Sequence, residues 1–354
     1  MGADEDVDAV DLMQAKLVDR AAQVALVDRS RVRPAKALRR QRDASRLRRG
    51  HLHTRNRTLI HAGALPAGGD EDKRSEAGMK TVRLPGGESV PALGQGTWKM
   101  AERLDRRAAE VAALRAGIDL GMTLIDTAEM YADGAAETLV GEAIAGVRDR
   151  VFLVSKAYPQ NASRDRLPHA CEASLQRLAT DRIDLYLLHW RGSVPLAETV
   201  EAMERLRAAG HIRYWDVSNL DADDMVELVT AGGAGCAVDQ ILYNLTRRGP
   251  EADLLPWLTD RGIAATAYSP VEQGRLVRDD RLAGIATRHG VTPAQVALAW
   301  TLRRDGMIAI PKAGTVEHVH ANRAAADLVL GDDDFAYLDA AFPPPRGRRP
   351  LEML

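Results

Sequence analysis

The chain has 354 residues, 45% hydrophobic and 28% charged, an ordinary composition for a globular enzyme and room for one large domain or two smaller ones. A formal net charge of -2 provides no basic field for a nucleic-acid partner. No apolar run approaches the roughly 18 residues that span a bilayer, and no basic-then-apolar leader opens the chain, so no membrane partner is expected and the cytoplasm is the default location.

Residues 1–78 contain no Phe, Trp, Tyr or Cys. They are rich in Arg, Asp and Ala, with arginine runs at 38–42 and 46–49. Without large side chains such a segment buries too little surface to offset the entropy of ordering its backbone. It reads as a disordered extension or as a leader upstream of a true start at Met79. Intact mass of protein made from its native locus separates the two. The acidic opening Asp4-Glu5-Asp6 argues against a transit peptide.

From Met79 the pattern changes. Two short apolar runs around Pro85-Gly86-Gly87 predict a β-hairpin over 81–90. Apolar strand candidates follow at 92–94, 123–126, 151–155, 183–188, 212–217, 237–242, 264–267 and 307–310. Each is apolar on both faces, as parallel strands under helices must be. Helical spacing marks 106–120, closed by Gly121, and 196–209, closed by Gly210. Thr292-Pro293 opens another helix with a cap and a first-turn proline, and Thr315 with Glu317 opens the last. Eight strand-helix alternations predict a (β/α)8 TIM barrel over 79–354. An open doubly wound sheet is the alternative. It lacks its usual phosphate loop, since Gly94-Gln95-Gly96 has no third glycine.

Barrel chemistry sits at the C-terminal ends of the strands. The polar residues there are Asp126, Lys156, His189, Ser218, Asn219, Gln240, Tyr268, Ser269 and Lys312. Taken singly each has a bland explanation: a capping Asp, a solvated Lys, a satisfied core His. In order, at successive strand ends, they read as a site.

Asp126, Tyr131, Lys156 and His189, in Leu124-Ile125-Asp126-Thr127-Ala128-Glu129-Met130-Tyr131, Val154-Ser155-Lys156 and Leu187-Leu188-His189-Trp190, resemble the catalytic motifs of the aldo-keto reductase family. The wording of 124–142 and the ending Ala341-Phe342-Pro343 are similar to its bacterial methylglyoxal-reductase-type branch. The resemblance runs from about Met79 to the C-terminus. It implies carbonyl reduction, with hydride delivered to carbon and a proton from Tyr131 to oxygen. Lys156, partnered by Asp126, would lower the phenol's pKa, and His189 would orient the carbonyl.

The same resemblance implies NADPH as cofactor. Ser218, Asn219 and Gln240 would bond its carboxamide, and Tyr268 of the Tyr268-Ser269-Pro270 segment would stack on the nicotinamide. Lys312 would meet the 2′-phosphate and Asn322 the adenine. Three departures stand out. His318 occupies the family's arginine position, which leaves NADH as an alternative. Ala313 follows the lysine where a hydroxyl is common. Asp216 replaces a glycine before Val217-Ser218-Asn219, through close approach or an added charge near the cofactor. His318 and His320 form a pair without an evident third ligand, so no metal is expected.

Trp98 and Trp190 fall where the family places substrate-facing aromatics. The expected partner is a small carbonyl substrate, with 2-oxo aldehydes first. The modest loop at 272–279 argues against a steroid-sized one. A monomer is expected. Two other functions compete: an NADPH-binding regulatory subunit on the same barrel, and nucleic-acid binding by the arginine-rich N-terminus. Turnover of simple carbonyls excludes the first. A gel shift lost on removing residues 1–78 would favour the second.

Overall fold

The computed structural model describes residues 78–354. Its contacts divide the chain into Met1–Leu65 and Pro66–Leu354, and every described residue falls in the second part. The extension expected over 1–78 therefore lies, up to residue 77, outside the described residues.

Strands β1 (Thr81–Arg83) and β2 (Ser89–Pro91) pair antiparallel as the expected hairpin. Then come β3 (Gln95–Gly96), α1 (Arg107–Asp119), β4 (Leu124–Asp126), α2 (Ala135–Ile144), β5 (Phe152–Ala157) and α3 (Arg166–Leu178). They are followed by β6 (Ile183–Leu188), α4 (Leu196–Ala208), β7 (Ile212–Ser218), α5 (Ala222–Thr230), β8 (Val238–Leu242) and α6 (Leu254–Thr259). The last are β9 (Ala264–Tyr268), α7 (Asp280–His289), α8 (Pro293–Leu302), β10 (Met307–Ala309), α9 (Val316–Ala325) and α10 (Asp332–Ala341).

Strands β3 to β10 pair parallel, each with its sequence neighbour. The two edges of this ribbon meet. Leu93 bridges Ala309 and Gly96 bridges Lys312, both parallel, which joins the start of the sheet to its end. The architecture is the expected (β/α)8 barrel. Closure demands close backbone approach: a Cβ on Gly96 would lie 2.6 Å from the Ile310 carbonyl oxygen.

Alternation along the strands makes two apolar layers. Leu124, Phe152, Val154, Leu185, Leu187, Val238 and Ile308 belong to one, together with Val82, Leu84 and Val90 of the hairpin. These side chains fill the barrel interior and the hairpin plugs its N-terminal end. Ile125, Leu153, Tyr186, Leu188, Val217 and Ile241 belong to the other layer, packed on Leu114, Leu139, Leu175, Met203 and Leu228 of the helices. Among the described residues, the plugged N-terminal end leaves the C-terminal end of the barrel for a site.

The first barrel strand differs from expectation. The apolar run at 92–94 precedes the strand, which is Gln95–Gly96. Gln95 is buried and donates to the Leu114 and Met122 carbonyls, so a polar side chain does the work of an apolar one there.

Candidate active site

Asp126 is the last residue of β4, Lys156 the penultimate residue of β5, and His189 directly follows β6. Neighbouring parallel strands thus bring them to one end of the barrel. Tyr131 arrives on a short turn, Tyr131–Gly134, between β4 and α2.

The ammonium of Lys156 is fully buried and donates to Asp126 Oδ1 at 2.6 Å, to the Thr127 carbonyl at 2.8 Å and to the Tyr131 hydroxyl at 3.3 Å. Burial lowers the Lys156 pKa, against the charge and hydrogen bond of Asp126 and the charge of Glu137. The other Asp126 oxygen accepts from Gln240 Nε2 at 2.8 Å. Both oxygens of this buried carboxylate are therefore engaged, which a buried ion pair requires.

The phenol departs from expectation. Burial, and after it the Asp126 charge, raise the Tyr131 pKa well above 10. Asp126 lies close enough to Lys156 to offset the ammonium's field at the hydroxyl. Tyr131 is thus held as a neutral phenol whose oxygen accepts from the Lys156 ammonium.

His189 packs edge-on to Tyr131, with ring centroids 5.9 Å apart. Burial, and then the Lys156 charge, push its pKa well below the ordinary value, so the ring is neutral. Its Nδ1 is buried without a hydrogen-bond partner. A proton on Nε2 is the tautomer that leaves no buried donor unpaired. Trp190 tilts against His189 at 4.9 Å and meets Tyr158 edge-on at 5.9 Å. Trp98 stands partly exposed after β3, with Lys99 Nζ 4.7 Å from its ring centroid.

A second group adjoins the first. Asn219 Nδ2 donates to the His189 carbonyl and to Ser218 Oγ, both at 3.0 Å, and Asn219 Oδ1 accepts from the Tyr268 hydroxyl at 2.9 Å. Ser218 Oγ donates to the Gln240 carbonyl at 2.9 Å. Ser218, Asn219, Gln240 and Tyr268 thus form one wall continuous with Asp126. Asn219 and Ser269 both have left-handed backbone, at φ 60° and 48°. Lys312, after β10, and His318 are exposed, while Asn322 is half-buried. His318 and Asn322 are four apart on α9, on one face, and Thr315 caps that helix by accepting from the His318 N–H at 3.3 Å. The expected residues therefore fall into two sets: those gathered around Lys156 and Asn219, and those on the β10–α9 segment.

Asp216 is resolved by its contacts. It is wholly buried, and Oδ1 accepts from the Ala237 and Val238 N–H groups at 2.5 and 2.9 Å. Pairing of β7 with β8 begins only at Val217 and Asp239, so this carboxyl replaces missing ladder bonds. Burial pushes its pKa well up.

These observations have counterparts among known proteins. The aldo/keto reductase family model matches residues 92–342. The chain belongs to the aldo/keto reductase family. It is similar to methylglyoxal reductase YeaE of Escherichia coli (strain K12), 52% identical over 282 residues that cover 78% of this chain and 99% of the relative. Glyoxal reductase of Bacillus subtilis (strain 168) is 33% identical over 278 residues, covering 77% of this chain and 97% of the relative. An aldo/keto reductase of Klebsiella pneumoniae, solved in complex with NADP and acetate, is 53% identical with a TM-score of 0.76, covering 78% of this chain and all of that one.

Around this reductase's site are groups that sequence reasoning passed over. Glu129 accepts from the Tyr158 N–H at 2.6 Å and from Asn161 Nδ2 at 2.9 Å, tying the β4 loop to the β5 loop. Glu272 is buried, accepts from Asn244 at 2.7 Å and pairs with Arg247 at 2.8 Å. Asn244 also donates to the Ser269 carbonyl at 2.9 Å, which anchors the loop after β9. Glu129 sits inside the motif that runs from Asp126 to Tyr131, which was a signal. Nothing in the spacing of Asn244, Arg247 and Glu272 announces that they meet. Among the described residues, no helix is long and apolar enough to cross a membrane.

Proposed function

We propose that the chain reduces small aldehydes and ketones to alcohols with NADPH, 2-oxo aldehydes such as methylglyoxal first among them. The observation that carries this is the Lys156 ammonium set between Asp126 and the Tyr131 hydroxyl, with a neutral histidine alongside. NADPH supplies hydride to the carbonyl carbon when bound. Tyr131 gives its proton to the carbonyl oxygen, Lys156 holds the resulting phenolate, and solvent returns the proton. His189 Nε2–H donates to the same oxygen and keeps it near Tyr131.

The wall fits a dinucleotide's polar head. Asn219 and Gln240 carry donors and acceptors for an amide, and Tyr268 has a ring held in place through its hydroxyl. Lys312, with His318 and Asn322 on α9, would hold the phosphate and adenine end. Ser269 lies between the two sets in the chain. Trp98 and Trp190 would form an apolar mouth. The Klebsiella relative's NADP complex and the name of the E. coli relative support cofactor and substrate class. We assign the activity to residues 79–354, since every residue named lies in that span, and propose that they act as a monomer.

The test is consumption of NADPH absorbance with methylglyoxal, with the alcohol identified as product. Turnover by the full chain, kept by a protein that starts at Met79, supports the reading. Binding of NADPH without turnover on any short aldehyde or ketone rejects it.

A further inference from the structure

Glu137 lies on α2, away from the reacting atoms, yet it is a fully buried carboxylate. Its Oε1 accepts from the Ser155 hydroxyl at 2.5 Å, and Ser155 immediately precedes Lys156 on β5. Its Oε2 accepts from Arg177 Nε at 2.6 Å, and Arg177 Nη2 donates to Ser174 at 3.2 Å. The Arg177 side chain in turn packs against Gly134: a Cβ there would lie 2.6 Å from Arg177 Cδ. Gly134 ends the turn that begins with Tyr131.

That turn is strained. Ala132, Asp133 and Gly134 are left-handed in succession, at φ 49°, 52° and 88°. Two of the three carry a Cβ, and such residues persist only where their surroundings hold them. The contacts form a ring. It runs from Tyr131 through its turn to Gly134, Arg177, Glu137 and Ser155, then to Lys156 and back to Tyr131 across the 3.3 Å bond.

We propose that Glu137 is a positioning residue for carbonyl reduction, tying the strained turn that carries Tyr131 to the strand that carries Lys156. Its negative charge also supports the Lys156 ammonium against burial. Glu137 is wholly buried, bonded to Ser155 and Arg177, and outside the residues assigned above to carbonyl and cofactor. Its loss therefore acts on the proton-transfer step and leaves binding alone. The inference rests on the catalytic reading of Tyr131 and Lys156.

Glu137→Gln keeps an acceptor for Ser155 but turns an NH2 toward Arg177, which breaks one arm of the ring. Ser155→Ala and Arg177→Met cut the arms separately. With methylglyoxal and NADPH, folded Glu137→Gln is expected to lose about 10- to 100-fold in kcat, with KM and NADPH affinity within about twofold. In a Tyr131→Phe background the same change is expected to cost little more, because the group it positions is gone. An unchanged kcat overturns the proposal, as does an equal loss in both backgrounds, which a general structural role would give. If Glu137→Gln does not fold, Ser155→Ala and Arg177→Met decide by the same two readings. Full turnover by Tyr131→Phe alone would remove the catalytic reading, and this inference with it.

Discussion

Lys156 has no exposed surface, and Asp126, the Thr127 carbonyl and Tyr131 accept its three hydrogen bonds. A buried ammonium with every donor engaged is a costly feature that a barrel strand does not need for packing. Asp126 and Lys156 were legible because each stands at the end of an apolar run, whereas Tyr131, on the turn after β4, was reached through the family resemblance. The raised phenol was not legible, since burial and the Asp126 field depend on distances that spacing does not contain. The same holds for Glu137, whose partners are 18 and 40 positions away in the chain. At the exposed end of the proposed cofactor site, His318 stands where a guanidinium would present a planar, permanently charged fork. His318→Arg is expected to raise the preference for NADPH over NADH about tenfold, read as the ratio of kcat/KM values. An unchanged ratio would remove His318 from the 2′-phosphate site.

Helices end where their caps say. Thr292 accepts from the Gln295 N–H at 3.3 Å and Gln295 Oε1 accepts from the Thr292 N–H at 2.9 Å, a reciprocal cap before Pro293. That start was readable because capping chemistry is local. Thr292→Ala should lower stability by about 1 kcal/mol in urea unfolding, and no change would mean that packing of α8 sets its start. The contact between α7 and α10 is not local and was not foreseen. Burial alone would raise the Asp334 pKa, but Arg288, His289 and the Gly331 N–H hold it down at about 2. A carboxyl depressed on folding adds stability above its unfolded pKa of about 4, and loses it as pH falls through the folded value. Asp334→Asn should therefore lower Tm at neutral pH, with the gap to wild type closing between about pH 4 and 2. A gap that stays constant across that range would show that the charge is not what Asp334 contributes.

The barrel as a whole was legible as alternation, and its weakest point was the first strand. Buried Gln95 between two glycines carries no apolar signature, so the run at 92–94 drew the boundary early. What fixes that strand is closure, a contact between the two ends of the sheet. Gly96→Ala, whose Cβ would press on the Ile310 carbonyl, should destabilise the fold by about 1–3 kcal/mol. Wild-type stability in that variant would mean that the seam between β3 and β10 is loose. Among the described residues, the hairpin and the packed interior fill one end of the barrel, and the polar strand ends converge at the other.

The most direct test of the account is single-turnover reduction of methylglyoxal by enzyme loaded with NADPH, comparing wild type with Tyr131→Phe. Rapid loss of NADPH absorbance in wild type is expected. In the variant, cofactor should bind as tightly, with the reaction slowed by about 100-fold or more. Equal rates in the two proteins would contradict Tyr131 as the proton donor. No reaction in either, with NADPH bound, would contradict the proposed reduction of methylglyoxal and favour the reading as a cofactor-binding regulatory subunit.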